Sequence, residues 1–127
     1  MEVESAVSRR EFSCGLEAAL SVIGGKWKFL ILFHIGAERR RFGELRRLVV
    51  GISEKMLVQQ LREMERDGII ARHDFREVPP RVEYSMTEFG QSLGEAVAPL
   101  CAWGGENQGR LEILAAHTNA ALAAVEA

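Results

Sequence analysis

The chain has 127 residues, 47% of them hydrophobic, and a formal net charge of −2, which is about one domain's length with enough apolar content for a core. It holds no run of about 18 apolar residues for a membrane span, and its start, MEVESAVSRR, lacks the apolar centre of a secretion signal, so a cytoplasmic protein with no membrane partner is expected. Two distant cysteines (Cys14, Cys101) and three histidines without ligand spacing (His34, His73, His117) offer no metal or cofactor site, and both cysteines are expected as thiols.

The small net charge conceals a division. Residues 1–25 sum to −2, residues 26–81 carry thirteen basic and eight acidic residues for +5, and residues 82–127 sum to −5. A basic middle between acidic ends fits a nucleic-acid footprint in a chain whose remainder does another job.

In chain order, residues 1–13 show little periodicity and read as a mobile N-terminal arm. Leu16, Ala19, Leu20 and Ile23 then fall at i, i+3, i+4 and i+7, a short helix ended by Gly24 and Gly25, either of which can take the positive φ of a helix end. Gly24, Gly25 and Lys26 resemble the tail of a phosphate-binding loop, but the earlier glycine is missing, Trp27 replaces Ser or Thr, and no strand precedes. The structural reading is preferred. Residues 26–35 follow as a helix apolar over much of its circumference, the expected central core helix. Arg39, Arg40 and Arg41 come next, an unbalanced basic run better placed beside phosphate than in plain solvent.

Phe42, Leu45, Leu48 and Val49 mark a short helix stopped at Val50 and Gly51. Ser53 is a good N-cap for a second helix running to Asp67, with Gly68 ending it. There Leu57, Leu61 and Met64 form one apolar stripe, while Lys55, Gln59 and Arg62 repeat the same spacing on another face. Two helices joined by so short a turn read as a helix-turn-helix, its second member slender enough for a major groove. Ser53, Glu54, Lys55 and Gln59 are the candidate base contacts, with Arg62 nearer the backbone. An acid in a first turn, such as Glu54, is also explained by the helix dipole.

Ile69 to Phe75 and Val82 to Met86 read as a hairpin, with Pro79 and Pro80 in its tip because neither can donate to a ladder. A hairpin after such a helix is a wing, and Arg76 and Arg81 beside its tip would reach phosphates or a minor groove. Thr87 can cap the next helix, Pro99 is expected to kink it, and Gly104 and Gly105 to interrupt it; an Ala-rich helix follows. This apolar surface exceeds what one core helix can cover, which favours a second subunit.

The run from Cys14 through VIGGKWKFLIL, the segment FGELRRLVVGISEKMLVQQLREMERDGIIAR, and VEYSMTEFGQSL followed by Trp103 and Gly104 together resemble the HxlR-type winged helix-turn-helix transcriptional regulators over about residues 12–108. The resemblance implies a mainly α fold with a small β-hairpin and N- and C-terminal dimerisation helices. It also implies a homodimer on double-stranded DNA at a pseudo-palindromic operator, open to a small-molecule or electrophile effector. The expected organisation is an arm over residues 1–13, a winged domain with dimerisation helices over 14–108, and a helical extension over 109–127. Two features depart from the family: Gly15 stands where Pro commonly follows the cysteine, and residues 109–127 form an extension that the resemblance does not map.

Some relatives sense quinones, aldehydes or disulfide stress through a thiol at the position Cys14 matches, which makes Cys14 the candidate redox-sensing residue. Its place before a helix favours a thiolate, whereas simple burial at an interface would make it a small hydrophobe. The alternative to a DNA-binding regulator is a winged-helix protein-interaction module. No nucleophile elbow or metal motif points to an enzyme.

Overall fold

The computed structural model describes residues 11–126, with side chains described to residue 121. Of the expected arm, residues 1–10 lie outside the described residues, and 11–13 are exposed and outside any helix or strand. The elements are α1 (Gly15–Ile23), α2 (Lys26–Ile35), β1 (Arg40–Arg41), α3 (Phe42–Leu48), α4 (Glu54–Arg66), β2 (Ile70–Asp74), β3 (Val82–Met86), α5 (Glu88–Glu106) and α6 (Gln108–Glu126). The fold is mainly α with a small antiparallel sheet, a winged helix-turn-helix. The chain divides into two compact units between Gly90 and Gln91.

In the first unit, α2 buries Ile31, Leu32 and Ile35 on one face and leaves Phe33 and Leu30 exposed on the other. The expected core helix is therefore buried on one side only, and its apolar circumference continues onto the exposed face. Between α1 and α2, Gly24 has an ordinary negative φ of −53°, and the left-handed residue is Gly25, at φ 85°. The reversal falls there because Gly25 is already the first cap of α2.

Helix α4 forms for local reasons. Ser53 Oγ accepts the backbone N–H of Met56 at 3.1 Å, satisfying one of the free donors of the first turn. Gly68, at φ 76°, turns the chain out of the helix at low steric cost. The stripe of Leu57, Leu61 and Met64 is buried where α4 meets α2 and β2, and removing three such side chains from water contributes at most roughly 5–9 kcal/mol. Lys28 Nζ lies 3.1 Å from Glu63 Oε2, joining α2 to α4 beside that seam. Across the helix-turn-helix, Trp27 lies close beneath Gly51 in the turn.

The expected hairpin is present and gains a third strand. The order is β1-β3-β2, all antiparallel. Arg40 stands opposite Tyr84 and Arg41 opposite Glu83, while His73 flanks Glu83 on its other side. Because side chains alternate across a sheet, one face carries Arg40, buried Tyr84 and Arg72, and the other carries the row Arg41, Glu83 and His73.

Thr87 caps α5 as expected, accepting from Gly90 N–H at 3.0 Å while its own hydroxyl donates to the carbonyls of Gly68 and Ile69. The expected interruption at Gly104 and Gly105 does not occur; α5 passes through both and ends at Glu106. The break comes at Asn107, whose side-chain amide and backbone N–H both donate to the carbonyl of Trp103, at 2.9 and 3.1 Å. A helix tolerates interior glycine at about 1 kcal/mol each, so Gly104 and Gly105 do not end it, and the backbone bond from Asn107 still follows the i to i−4 helical pattern. In the second unit Leu100, Trp103, Ile113 and Leu114 are exposed. No single helix among the described residues is long and apolar enough to cross a membrane.

Candidate nucleic-acid interface

The exposed side of α4 carries Lys55, Gln59 and Arg62, all exposed, one helical turn apart in succession. Among the described residues none of the three has an ion pair or a side-chain hydrogen bond, so their donors are free. Ser53 begins the helix with its hydroxyl committed to the cap. Glu54 faces back across the turn, and its Oε2 lies 3.2 Å from Arg46 Nη1 on α3. Arg46 is thus a member of this surface that periodicity alone does not single out.

The arginine run before α3 is not the unbalanced group its sequence suggests. Arg40 is half-buried, its Nε donating to the carbonyl of His34 at 3.0 Å and its Nη1 lying 3.6 Å from Glu44. Strand alternation explains this, because β1 turns Arg40 to the face of Tyr84. A cation at the last turn of α2 also complements that helix's dipole. Arg41 instead projects on the outer row, 3.9 Å from Glu83. Its backbone N–H donates to Glu44 Oε1 at 3.0 Å, and that bond, with Arg40 nearby, holds the Glu44 carboxyl below its ordinary pKa.

On the wing, Arg81 is held on three sides. Its Nε and Nη2 both lie 2.9 Å from Glu83 Oε2, its Nη1 lies 3.7 Å from Glu77, and its guanidinium sits 4.3 Å over the ring of Phe75. Arg76 is exposed at the tip with φ 53°, a left-handed conformation that costs a non-glycine residue about 1–2 kcal/mol. Asp74 supports it by accepting its backbone N–H at 2.9 Å. Glu83 was not among the expected site residues. The alternation in VEYSM turns it away from the face of Tyr84, but its arginine partners follow only from strand register.

Cys14 is exposed and is the N-cap of α1. The backbone N–H groups of Glu17 and then Leu16 hold its thiol below the ordinary value, with Ser13 adding to the effect. Around it Leu16, Glu17, Leu20 and Ser21 line a shallow groove. Cys101 is exposed on α5.

Comparison with known proteins identifies the family. The profile of the HxlR-like helix-turn-helix family matches residues 22–112. An uncharacterised HTH-type transcriptional regulator, YtcD of Bacillus subtilis (strain 168), is 46% identical over 105 residues, covering 83% of each chain. The redox regulator HypR in its reduced form superposes with a TM-score of 0.73 at 45% identity, over 78% of this chain and 98% of that one. Its oxidised form gives 0.70 at 47% identity, over 74% and 97%. This is a family of regulators rather than of enzymes. The chain belongs to the HxlR-like helix-turn-helix family and is a DNA-binding transcriptional regulator.

Proposed function

We propose that the chain works in the cytoplasm as a homodimer on a pseudo-palindromic operator, each protomer placing α4 in a major groove. The observation that carries this is the free polar face of α4, with Lys55, Gln59 and Arg62 unpaired and exposed, followed by a wing whose tip is flanked by Arg76 and Arg81. Lys55 suits guanine and Gln59 suits adenine, each through the base edge. Arg62, Arg41, Arg76 and Arg81 serve the phosphate backbone. Glu54, Arg40 and Ser53 serve chiefly to hold that surface in shape, through Arg46, the α2 carboxyl end and the α4 cap. Dimerisation through α1, α5 and α6 fits the exposed Leu16, Leu20, Leu100, Trp103, Ile113 and Leu114, and would set the two recognition helices about 34 Å apart, one DNA turn.

Control through Cys14 is the second part of the reading. HypR is a redox regulator with a reduced and an oxidised form, and Cys14 here is exposed with its thiolate favoured. Oxidation or an electrophile at this thiol would alter helix spacing and so operator occupancy.

Genomic fragments from the source organism, selected on the full chain with and without oxidant, test both parts. An enriched palindromic site lost on oxidation is expected. K55A and Q59A should each lower discrimination at one base position by about 1–3 kcal/mol. With six to ten phosphate contacts, affinity should fall roughly 10³- to 10⁵-fold between 50 and 200 mM salt. A flat salt response with no enriched site would favour a protein-interaction module instead.

A further inference from the structure

Arg39, Arg41 and Arg81 converge on one carboxylate. Arg81 donates to Glu83 Oε2 through two nitrogens at 2.9 Å, Arg41 Nε lies 3.9 Å from the same oxygen, and Arg39 Nη1 lies 4.0 Å from Oε1. The Glu83 side chain is only 12% exposed, whereas those of Arg39 and Arg41 are 51% and 58% exposed. We propose that Glu83 is the positioning residue of a backbone-phosphate clamp in which these three arginines act together, a proposal that rests on the DNA-binding reading above.

The geometry separates the roles. Contacts near 4 Å are charge contacts rather than hydrogen bonds, so Arg39 and Arg41 keep their N–H donors for another acceptor. Arg81 is fixed from below by the Phe75 ring and from the side by Glu83, which orients its guanidinium before any ligand arrives. Three guanidiniums against Glu83 and the exposed Glu77 leave a surplus of one positive charge. A staple for the wing would need one arginine; a polyanion takes the surplus. Register makes the cluster, since Arg41 and Glu83 are Cα partners across β1 and β3. The segment before the helix-turn-helix and the wing thereby become one anion site.

Binding of the full chain to a mixed-sequence duplex of about 30 base pairs, measured by fluorescence anisotropy across a salt series, tests the clamp. E83Q adds one net positive charge per protomer, so long-range electrostatics alone predicts tighter binding. The clamp predicts the reverse, a Kd about 3- to 10-fold higher and a salt slope shallower by about one contact. E77Q, which removes an exposed acid also near Arg81, should bind at least as tightly as the wild type. R39A alters an exposed side chain and should flatten the slope with an unchanged melting temperature, so the test survives if E83Q folds poorly. In an R81A background E83Q should weaken binding less than it does alone. Unchanged or tighter binding by E83Q, wild-type binding by R39A, or full additivity with R81A would each overturn the clamp. A wild-type chain with no salt-dependent binding to the duplex would overturn the DNA reading and the clamp with it.

Discussion

Arg46 Nη1 and Glu54 Oε2 stand 3.2 Å apart, linking the last turn of α3 to the first turn of α4 across the helix-turn-helix. Both side chains are more than half exposed, and such surface pairs contribute about 0–1 kcal/mol. E54Q should therefore change stability by less than about 1 kcal/mol in urea denaturation. It also frees Arg46 and removes an acid from the face proposed to meet DNA, so affinity for DNA at low salt should rise. A loss of binding beyond about threefold, confined to one base position, would restore Glu54 as a reader of cytosine.

Ser53 does two jobs that substitution can separate. S53A removes the acceptor that Met56 N–H uses and should lower stability by about 1 kcal/mol. S53D restores an acceptor and should recover that loss, but its charge sits where phosphate would approach. The expected pattern is a weakly destabilised S53A that still binds DNA and a stable S53D that binds poorly. Equal binding by both would place Ser53 away from the backbone.

Gly90 is close-packed for a reason the sequence does not announce. A Cβ there would run into the backbone carbonyl of Ile69, and that carbonyl already accepts from the Thr87 hydroxyl and backbone N–H. Backbone cannot yield as a side-chain end can. G90A should cost about 2–3 kcal/mol in chemical denaturation, although alanine is the better helix former. A stabilised G90A would show that the start of α5 can slide on β2 without loss.

These cases mark what the residues reveal in order and what only the assembled fold reveals. Helix α4 is legible because its signals are local: the Ser53 cap, the Leu57, Leu61 and Met64 stripe, and Gly68 at its end. The hairpin is legible from the alternation in VEYSM and from Pro79 and Pro80 between its arms. Strand β1 is not, since two residues have no period, and Arg40–Arg41 becomes a strand only by pairing with Tyr84 and Glu83. The same pairing sends Arg40 inward and Arg41 outward, so adjacent arginines that look alike in sequence do different work. Gly104 and Gly105 mislead because a propensity of about 1 kcal/mol each is too small to stop a helix that runs on to Glu106.

Cys14 gives a prediction with a definite sign. The N–H groups of Glu17 and Leu16 at the open end of α1 lower the thiol pKa in the folded chain, without a capping hydrogen bond to the sulfur, so the folded state favours the thiolate. The associated stability is present above the unfolded thiol's pKa and is lost as pH falls through the folded one. At so exposed a group that contribution is too small for denaturation curves, and alkylation rate is the suitable readout. The rate of iodoacetamide labelling at Cys14, plotted against pH in a C101S background, should have its midpoint below that of the same chain in urea. L16P removes one of the two donors at a first-turn position that tolerates proline, and its midpoint should move upward. If the folded and unfolded chains titrate alike, the helix end does not prepare this thiol. Oxidant sensitivity in the operator assay would then have to arise elsewhere, with Cys101 the next thiol to replace.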